Sequence, residues 1–285
     1  MTVGLKNESL IKSILKQNEL NMKPKIPLIV AFLSIFVTPC FTQNQEDIQT
    51  LSIFSEYVKS KNYDAAYTPW MELRQRNPRF NKAIFVYGER ILKDKIKKST
   101  GEEKVNFIND MLALWEERAQ YFTAVTPKGT YMAKACQLRY DNRQELGIDK
   151  VQLHSDFSEA YNSDPQTFTN PKSLYTYFSL VVDMYDAGNL PAQELFNSYE
   201  VVTEKVESEV KNYTNKRNAF LDEEGVPKEL SRTNASRLKS YNSYLKAYDQ
   251  ISSSIDVKLG SRANCENLIP LYSRCLLYTS PSPRD

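Results

Sequence analysis

One stretch, residues 57–78, constrains the fold of this chain more than any other. Its sequence, YVKSKNYDAAYTPWMELRQRNP, places apolar residues at helical intervals on both sides of a short polar turn at 59–62. A second helix is predicted over Tyr63–Arg76, and Pro78 prevents it from continuing. Pro69 lies inside that helix and predicts a kink there. Leu51, Phe54, Tyr57 and Val58 recur at helical spacing in the first helix, and Ala66, Trp70 and Leu73 lie on one face of the second.

The spacing within this stretch resembles the tetratricopeptide repeat, a helix–turn–helix unit of about 34 residues. That repeat has Tyr early, Ala nine residues later, an aromatic residue four further on, and Pro eight after that. In this chain those positions are held by Tyr57, Ala66, Trp70 and Pro78. The small alanine lets two antiparallel helices approach closely. The pattern departs from the family at Phe54, where a glycine is expected, and at Leu73, where a small residue is usual.

Partial matches to the repeat recur farther along. Gly88 falls where the next repeat has its glycine, which predicts a second repeat in phase with the first. Three second-helix positions match again at Phe157, Ala160 and Pro165. The resemblance is to exported repeat proteins of Gram-negative bacteria with large, irregular repeats, and it assigns 44–202 to such repeats. It implies an all-α solenoid, a right-handed superhelix whose concave groove binds peptides or protein surfaces.

Start and stop signals predict the helices that follow the first repeat. A helix is expected from Asn81 through Lys97, before a turn rich in polar residues. A longer helix over 102–122 then begins behind Ser99 or Thr100, either of which is a suitable capping residue.

Further helices are predicted in the same way. Thr126 is expected to cap a helix with Pro127 at its first position, running to Leu146 and ending at Gly147. The starts predicted for the next three helices are Asp149, Asn170-Pro171 and Pro191.

From residue 203 the pattern changes to two long helices separated by the breaker sequence 223–227. Seven positions in the second helix step alternately by three and four residues, as in a heptad seam. They are Leu238, Tyr241, Leu245, Tyr248, Ser252, Ile255 and Leu259. The segment 203–260 is therefore predicted to be a long antiparallel helical hairpin. Two interpretations remain open: a solvated hairpin packed only on itself, or an arm that binds a partner.

The segment 22–43 has the pattern of a secretory signal peptide. Two lysines precede an apolar run of 12 residues, 26–37, and a short polar end follows. That run is shorter than the roughly 20 residues of a membrane-spanning helix, so no transmembrane segment is expected in the mature chain. A buried core helix is the alternative. Cys40 follows a partial lipobox and is a candidate lipid anchor, and 1–21 is interpreted as a non-native upstream extension.

The end of the sequence departs from the helical pattern. Residues 261–274 begin what is predicted to be a further repeat, whereas 275–285 read CLLYTSPSPRD and have no helical periodicity. This string resembles a translated sequencing-adapter read-through, which implies that the natural protein continues beyond Arg274. A natural, disordered Ser/Pro tail is the alternative.

Charge and chemistry-bearing residues favour a binding protein over an enzyme. The formal net charge is +2, of which the first 43 residues hold +3 and the last 11 none, leaving 44–274 at −1. A nearly neutral body argues against nucleic-acid binding. His154 is the only histidine, and no phosphate-binding loop, nucleophile elbow or metalloprotease motif occurs. No catalytic, metal or cofactor site is predicted.

Two cysteines, Cys136 and Cys265, lie outside the signal and the tail. Their spacing fits no metal or redox motif. In an oxidising compartment they could pair with each other, or Cys265 could pair with a cysteine beyond Arg274. The sequence leaves both alternatives open.

These observations favour a non-catalytic protein–protein interaction scaffold, exported to the periplasm or associated with the outer membrane of a Gram-negative bacterium. The residues expected to line its groove are Tyr57, Tyr87, Arg90 and Tyr177. The alternative is an outer-membrane glycan-uptake lipoprotein with a core of such repeats. An enzyme, with its active site beyond Arg274, comes third.

Overall fold

A computed structural model of the chain describes residues 45–269, and all regular secondary structure in that range is helical. The expected all-α fold is confirmed for this range. None of the described helices is both long enough and apolar enough to cross a membrane. The chain divides into two compact units, with the boundary between Phe80 and Asn81. The predictions for the signal segment, Cys40 and the tail lie outside the described residues.

Within residues 45–80 the first unit has two helices, α1 over 45–59 and α2 over Tyr63–Arg76. The bounds predicted for α2 are confirmed, and the helix continues through Pro69. The Asn62 side chain caps α2 by accepting a hydrogen bond from the Ala65 N–H at 3.3 Å. The apolar contact is formed by residues that are at most 2% exposed: Phe54, Val58, Ala66, Trp70 and Leu73.

A buried carboxylate ties the two helices of this unit together. Asp47 is fully buried, and it accepts hydrogen bonds from Arg76 Nε at 3.0 Å and Asn77 Nδ2 at 2.8 Å. Arg76 also bridges to Glu46 at 2.7 Å. On folding, the Asp47 carboxylate therefore loses its contact with water and gains hydrogen bonds from Arg76 and Asn77 at the end of α2.

The second unit carries the other helices of the described range. In chain order they are α3 Ala83–Lys98, α4 Gly101–Tyr121, α5 Lys128–Asp141, α6 Arg143–Leu146, α7 Lys150–Ser163, α8 Pro171–Asp186, α9 Ala192–Asn218, α10 Arg232–Leu259 and α11 over 265–269. Short 3₁₀ turns occur at Thr123–Val125 and Gly260–Arg262. Neighbouring helices pack in sequence, α3 on α4, α4 on α5, α5 on α7 and α7 on α8. Helix α8 also packs on both α9 and α10, and eleven of its residues are buried.

The predicted helix caps divide into those confirmed and those that are wrong. Asp149 and Asn170 each accept a hydrogen bond from the backbone N–H three residues later, at 2.8 and 3.0 Å. Thr100 stands at the start of α4, but its side chain makes no capping bond. The Ser99 hydroxyl instead donates to the Lys95 carbonyl at 2.8 Å, at the end of α3. No side chain from the turn therefore caps α4.

The start of α5 also differs from the prediction. The Thr126 hydroxyl donates to the Arg118 carbonyl at 3.5 Å rather than capping α5. The N–H of Gly129 donates instead to the Asp164 carboxylate at 3.0 Å and to Thr167 Oγ1 at 2.9 Å. The cap of α5 is therefore supplied by the loop after α7.

The single helix expected from Thr126 to Leu146 is interrupted. The Asn142 side chain donates to the Leu138 carbonyl at 2.8 Å, and Asn142 leaves the helical conformation between α5 and α6. Gly147 ends α6 with φ +64°, as the sequence predicts for a left-handed cap.

Glu89 connects three helices of the second unit. Its carboxylate on α3 accepts hydrogen bonds from Trp115 Nε1 of α4 at 3.1 Å and from Lys134 Nζ of α5 at 3.0 Å. Lys93 bridges to it at 2.7 Å. Burial alone would raise the pKa of the Glu89 carboxyl, but hydrogen bonds and charges from Lys93 and Lys134 outweigh burial and lower it from 4.5 to about 2.

Candidate interaction surface

The two longest of the described helices, α9 and α10, pack against each other in opposite directions. Near the start of α9 the Tyr199 hydroxyl donates to Asp256 Oδ1, near the end of α10, at 2.9 Å. Farther along α9 the ring of Tyr213 meets Tyr241, early in α10, with centroids 5.9 Å apart. All seven positions of the heptad pattern in α10 are buried or half-buried. The alternating step of three and four residues therefore identifies the buried face of α10.

The helix pair is tied to the rest of its unit through polar contacts of Tyr248 and Lys205. Tyr248 is fully buried, and its hydroxyl donates to the Thr169 carbonyl in the loop before α8. Lys205 bridges to Glu209 at 2.9 Å and also donates to the Gln166 carbonyl at 2.9 Å. Because these donors reach carbonyls of the 164–170 loop, they set how α9 and α10 lie on that loop.

A cluster of tyrosines lies where the two helices approach the loop that joins them; we call Tyr213, Tyr241, Tyr244 and Tyr248 the tyrosine cluster. Tyr213 is at its centre and stacks on Tyr244, with ring centroids 4.7 Å apart and planes 16° apart. Tyr244 is 38% exposed, whereas Tyr248 is fully buried. The cluster thus extends from the core to the surface, where part of its aromatic surface is exposed to solvent.

Two charged groups lie near the cluster: Lys216 at its outer edge, and Glu209, which is paired with Lys205. Lys216 Nζ lies 5.1 Å from the centroid of the Tyr213 ring, a cation–π contact. Burial, followed by the nearby Tyr244 and Glu209, raises the pKa of Tyr213 to about 12. Tyr213 is therefore a neutral phenol at physiological pH, able to donate or accept a hydrogen bond.

A cleft of about 530 Å³ lies beside the cluster, between α9 and α10. Val206, Val210, Leu245 and Tyr248 form its apolar part. Its polar part includes both acidic and basic side chains, among them Glu207, Lys211 and Asp249. An apolar floor with a mixed polar rim is the usual composition of a protein-binding surface.

The residues that match the repeat pattern are mostly core residues. Ala66, Trp70, Phe157 and Ala160 are fully buried, and Gly88 is buried on α3. Pro78 and Pro165 lie just beyond the ends of α2 and α7. Their positions account for packing and for helix ends, and none presents a ligand-binding group.

The expected groove residues have different environments. Tyr57 is 38% exposed in the first unit. In the second unit Tyr87 is half-buried, with the Arg90 guanidinium 5.7 Å from its ring centroid. Tyr177, which was expected to line the groove, is only 8% exposed, and its ring stacks on that of Tyr161 with centroids 5.5 Å apart. Tyr177 packs in the core because it lies on α8, the helix covered on several sides.

The remaining chemistry-bearing residues are separate from one another. His154 stacks on Tyr177 at 6.5 Å, and burial lowers its pKa. Cys136 is buried and Cys265 exposed, and both are free thiols. Within residues 45–269, no three His, Cys, Asp or Glu side chains are grouped so that they could hold a metal ion.

The sequence pattern placed Tyr241 and Tyr248 on the seam but missed Tyr213 and Tyr244. Tyr244 lies three residues from Tyr241 and four from Tyr248, which is the signal that could have found it. No protein-family model matches this chain, and neither the curated proteins nor the solved structures include one with significant similarity to it.

Proposed function

We propose that this chain is a non-catalytic protein–protein interaction scaffold of the cell envelope, and that it binds its partner on the α9–α10 helix pair. In this proposal α9 and α10 form a helical hairpin attached to an irregular solenoid of the tetratricopeptide type. The observation that carries the proposal is the Tyr213–Tyr244 stack, which brings aromatic area from a buried base to the surface.

Physical chemistry supports this surface as a binding site. Tyrosine offers a large contact area and a hydroxyl, and it loses little conformational entropy when a partner fixes it. Tyr244 is already held by its stack on Tyr213, so the entropic cost of ordering it is small. The neighbouring cleft adds apolar side chains within reach of the same partner.

A photo-crosslinking experiment tests the proposal. p-Benzoylphenylalanine is placed at Tyr244 in the full chain, and the protein is irradiated in envelope extract from a Gram-negative bacterium. A matched variant carries the same group at Val151, which is 57% exposed on α7. We expect a discrete protein adduct at position 244 that is absent at position 151. The same adducts at both positions, or none at 244, would contradict the proposal.

The alternative, an outer-membrane glycan-uptake lipoprotein, depends on lipidation of Cys40. Labelling of the full chain with a palmitate analogue in a Gram-negative host separates the two functions. Label that is lost in Cys40→Ala and kept in Cys265→Ala would favour the lipoprotein. Absence of label from the unsubstituted chain would exclude it.

A further inference from the structure

A second cleft lies at the outer end of the helix pair, where the loop 219–231 joins α9 to α10. This loop is held in a defined shape by backbone hydrogen bonds. Lys228 N donates to the Phe220 carbonyl at 3.0 Å, and Asp222 N donates to the Val226 carbonyl at 2.9 Å. The Asp222 carboxylate also accepts from Val226 N at 2.7 Å. Because Lys228 N is bound to Phe220, these bonds also fix the position of Lys228 relative to the end of α9.

The cleft has a volume of about 560 Å³ and is open to solvent. Pro227, Leu230 and Leu238 are its large apolar lining residues. Leu238 is 9% exposed, so its side chain forms a floor rather than a protruding contact. A volume of this size lies within the roughly 300–1,000 Å³ of clefts that hold small ligands, and it would accept the side chains of a few peptide residues.

The charged side chains that line the cleft are all basic. Lys228, Lys239 and Lys246 line it, and all three are exposed. Within the described part of the chain, no acidic residue is among those lining the cleft. Lys239 and Lys246 are seven residues apart, so they stand two turns apart on one face of α10, at a separation of about 10 Å. Three ammonium groups therefore surround an apolar floor.

We infer that this cleft binds an acidic peptide segment that carries an apolar side chain. The apolar side chain lies on Leu230 and Leu238, and flanking carboxylates pair with the three lysines. This inference rests on the proposed function as an interaction scaffold, and it supplies the chemical class of the partner. Carboxylates that pair with these ammonium groups, while the apolar side chain covers the floor, gain both charge pairing and burial.

The same observations disfavour the other polyanions. A membrane surface is flat and cannot enter a concave cleft, and a nucleic acid needs a basic surface much longer than one cleft. Glu223, Glu224 and Glu229 are exposed on the same loop, and they would repel an extended array of phosphates. A short peptide can place its carboxylates on the lysines and avoid these glutamates.

Fluorescence anisotropy of a labelled octapeptide tests the inference. The probe contains six glutamates around a central Leu-Phe pair, and a second probe replaces every glutamate by glutamine. With the full chain, we expect the acidic probe to bind at least about tenfold more tightly than the neutral one. Affinity should fall as salt is raised from about 0.05 M to about 0.5 M.

Charge-reversal variants locate the binding. The double variant Lys239→Glu with Lys246→Glu should lower the affinity for the acidic probe at least tenfold. The milder double variant Lys239→Gln with Lys246→Gln should lower that affinity less. The matched control, Lys82→Glu with Lys97→Glu, changes two exposed lysines of the α3 region by the same total charge and should leave affinity within twofold. Circular dichroism and thermal unfolding of each variant check that the fold is retained.

Several results would overturn the inference. They are no binding of the acidic probe, equal binding of the neutral probe, or an equal loss in the control variant. Binding of anionic vesicles or of single-stranded DNA through the same lysines, without peptide binding, would assign the cleft to a different class of partner. Dimerisation of the chain lost in the lysine variants would assign it to a second copy. If adducts at Tyr244 persist while the probe fails to bind, the cleft inference fails and the scaffold proposal stands.

Discussion

The backbone N–H of Gly129 donates a hydrogen bond to the carboxylate of Asp164 across 3.0 Å, although 35 residues separate the two in sequence. Gly129 lies in the first turn of α5, where backbone N–H groups have no partner within the helix. Asp164 and Thr167 supply that partner from the loop after α7. The contact is close enough that a side chain at position 129 has no room. A Cβ there would lie 2.3 Å from the Asp164 carbonyl oxygen and 2.6 Å from Phe168 N.

Gly129→Ala is expected to destabilise the chain by at least about 2 kcal/mol, because the added methyl group meets backbone atoms that cannot move independently. The free energy of unfolding in urea measures the effect. Thr126→Val is the matched control at the same helix start, and we expect a cost below about 1 kcal/mol, since Thr126 does not cap α5. A larger loss at Thr126 than at Gly129 would contradict the structure of this cap.

Glu89→Gln should destabilise the chain by about 1–3 kcal/mol at pH 7, because the substitution removes the charge that pairs with Lys93 and Lys134. The pKa of Glu89 is lowered in the folded chain from 4.5 to about 2. A lowered pKa contributes stability above pH 4.5, and that contribution is lost as the pH falls from 4.5 towards 2.

The test is urea unfolding of both proteins at pH 7 and pH 3. The difference in the free energy of unfolding between wild type and Glu89→Gln should be smaller at pH 3 than at pH 7. Glu116 is exposed on α4, so Glu116→Gln serves as the control and should change the free energy of unfolding little at either pH. A Glu89→Gln difference that does not depend on pH would show that charge pairing is not the cause.

Tyr248→Phe is expected to lower the free energy of unfolding by about 1–2 kcal/mol, because the Thr169 carbonyl loses the hydroxyl group that donates a hydrogen bond to it. Tyr241→Phe is the matched control, since Tyr241 contacts Tyr213 and Phe220 through its ring, which the substitution keeps. Thermal unfolding of the two variants side by side compares them. Equal shifts in Tm would argue against a specific contact between α10 and the loop at Thr169.

The two thiols should differ in reactivity. Burial, followed by the charge of Asp156, raises the pKa of Cys136 to about 12, so at pH 8 only about one Cys136 in 10,000 is a thiolate. Cys265 is exposed. Iodoacetamide at pH 8, followed by peptide mass spectrometry, should modify Cys265 in the folded chain and Cys136 only after unfolding. Protection of both thiols until a reductant is added would indicate that they pair.

Local sequence was sufficient at several positions where the interacting groups lie within one turn of each other. The caps at Asp149 and Asn170 each join a side chain to an N–H three residues away, so the residue type and its position predict the bond. The bounds of α2 and the buried stripe of α10 were predictable for the same reason, since helical periodicity is a local property. The all-helical class follows from these local signals added together.

Only the tertiary structure decided contacts between residues distant in the sequence. Thr126 has the right chemistry for a cap, yet Asp164 reaches the N–H of Gly129 from another part of the chain. Tyr177 has the amphipathic character of a groove residue, but its burial depends on which helices cover α8. The Tyr213–Tyr244 stack forms because α9 and α10 align in one register. Such partners are set by the packing of whole helices. The spacing of residues within one helix indicates which face is buried, but it does not identify the residues on another helix that this face contacts.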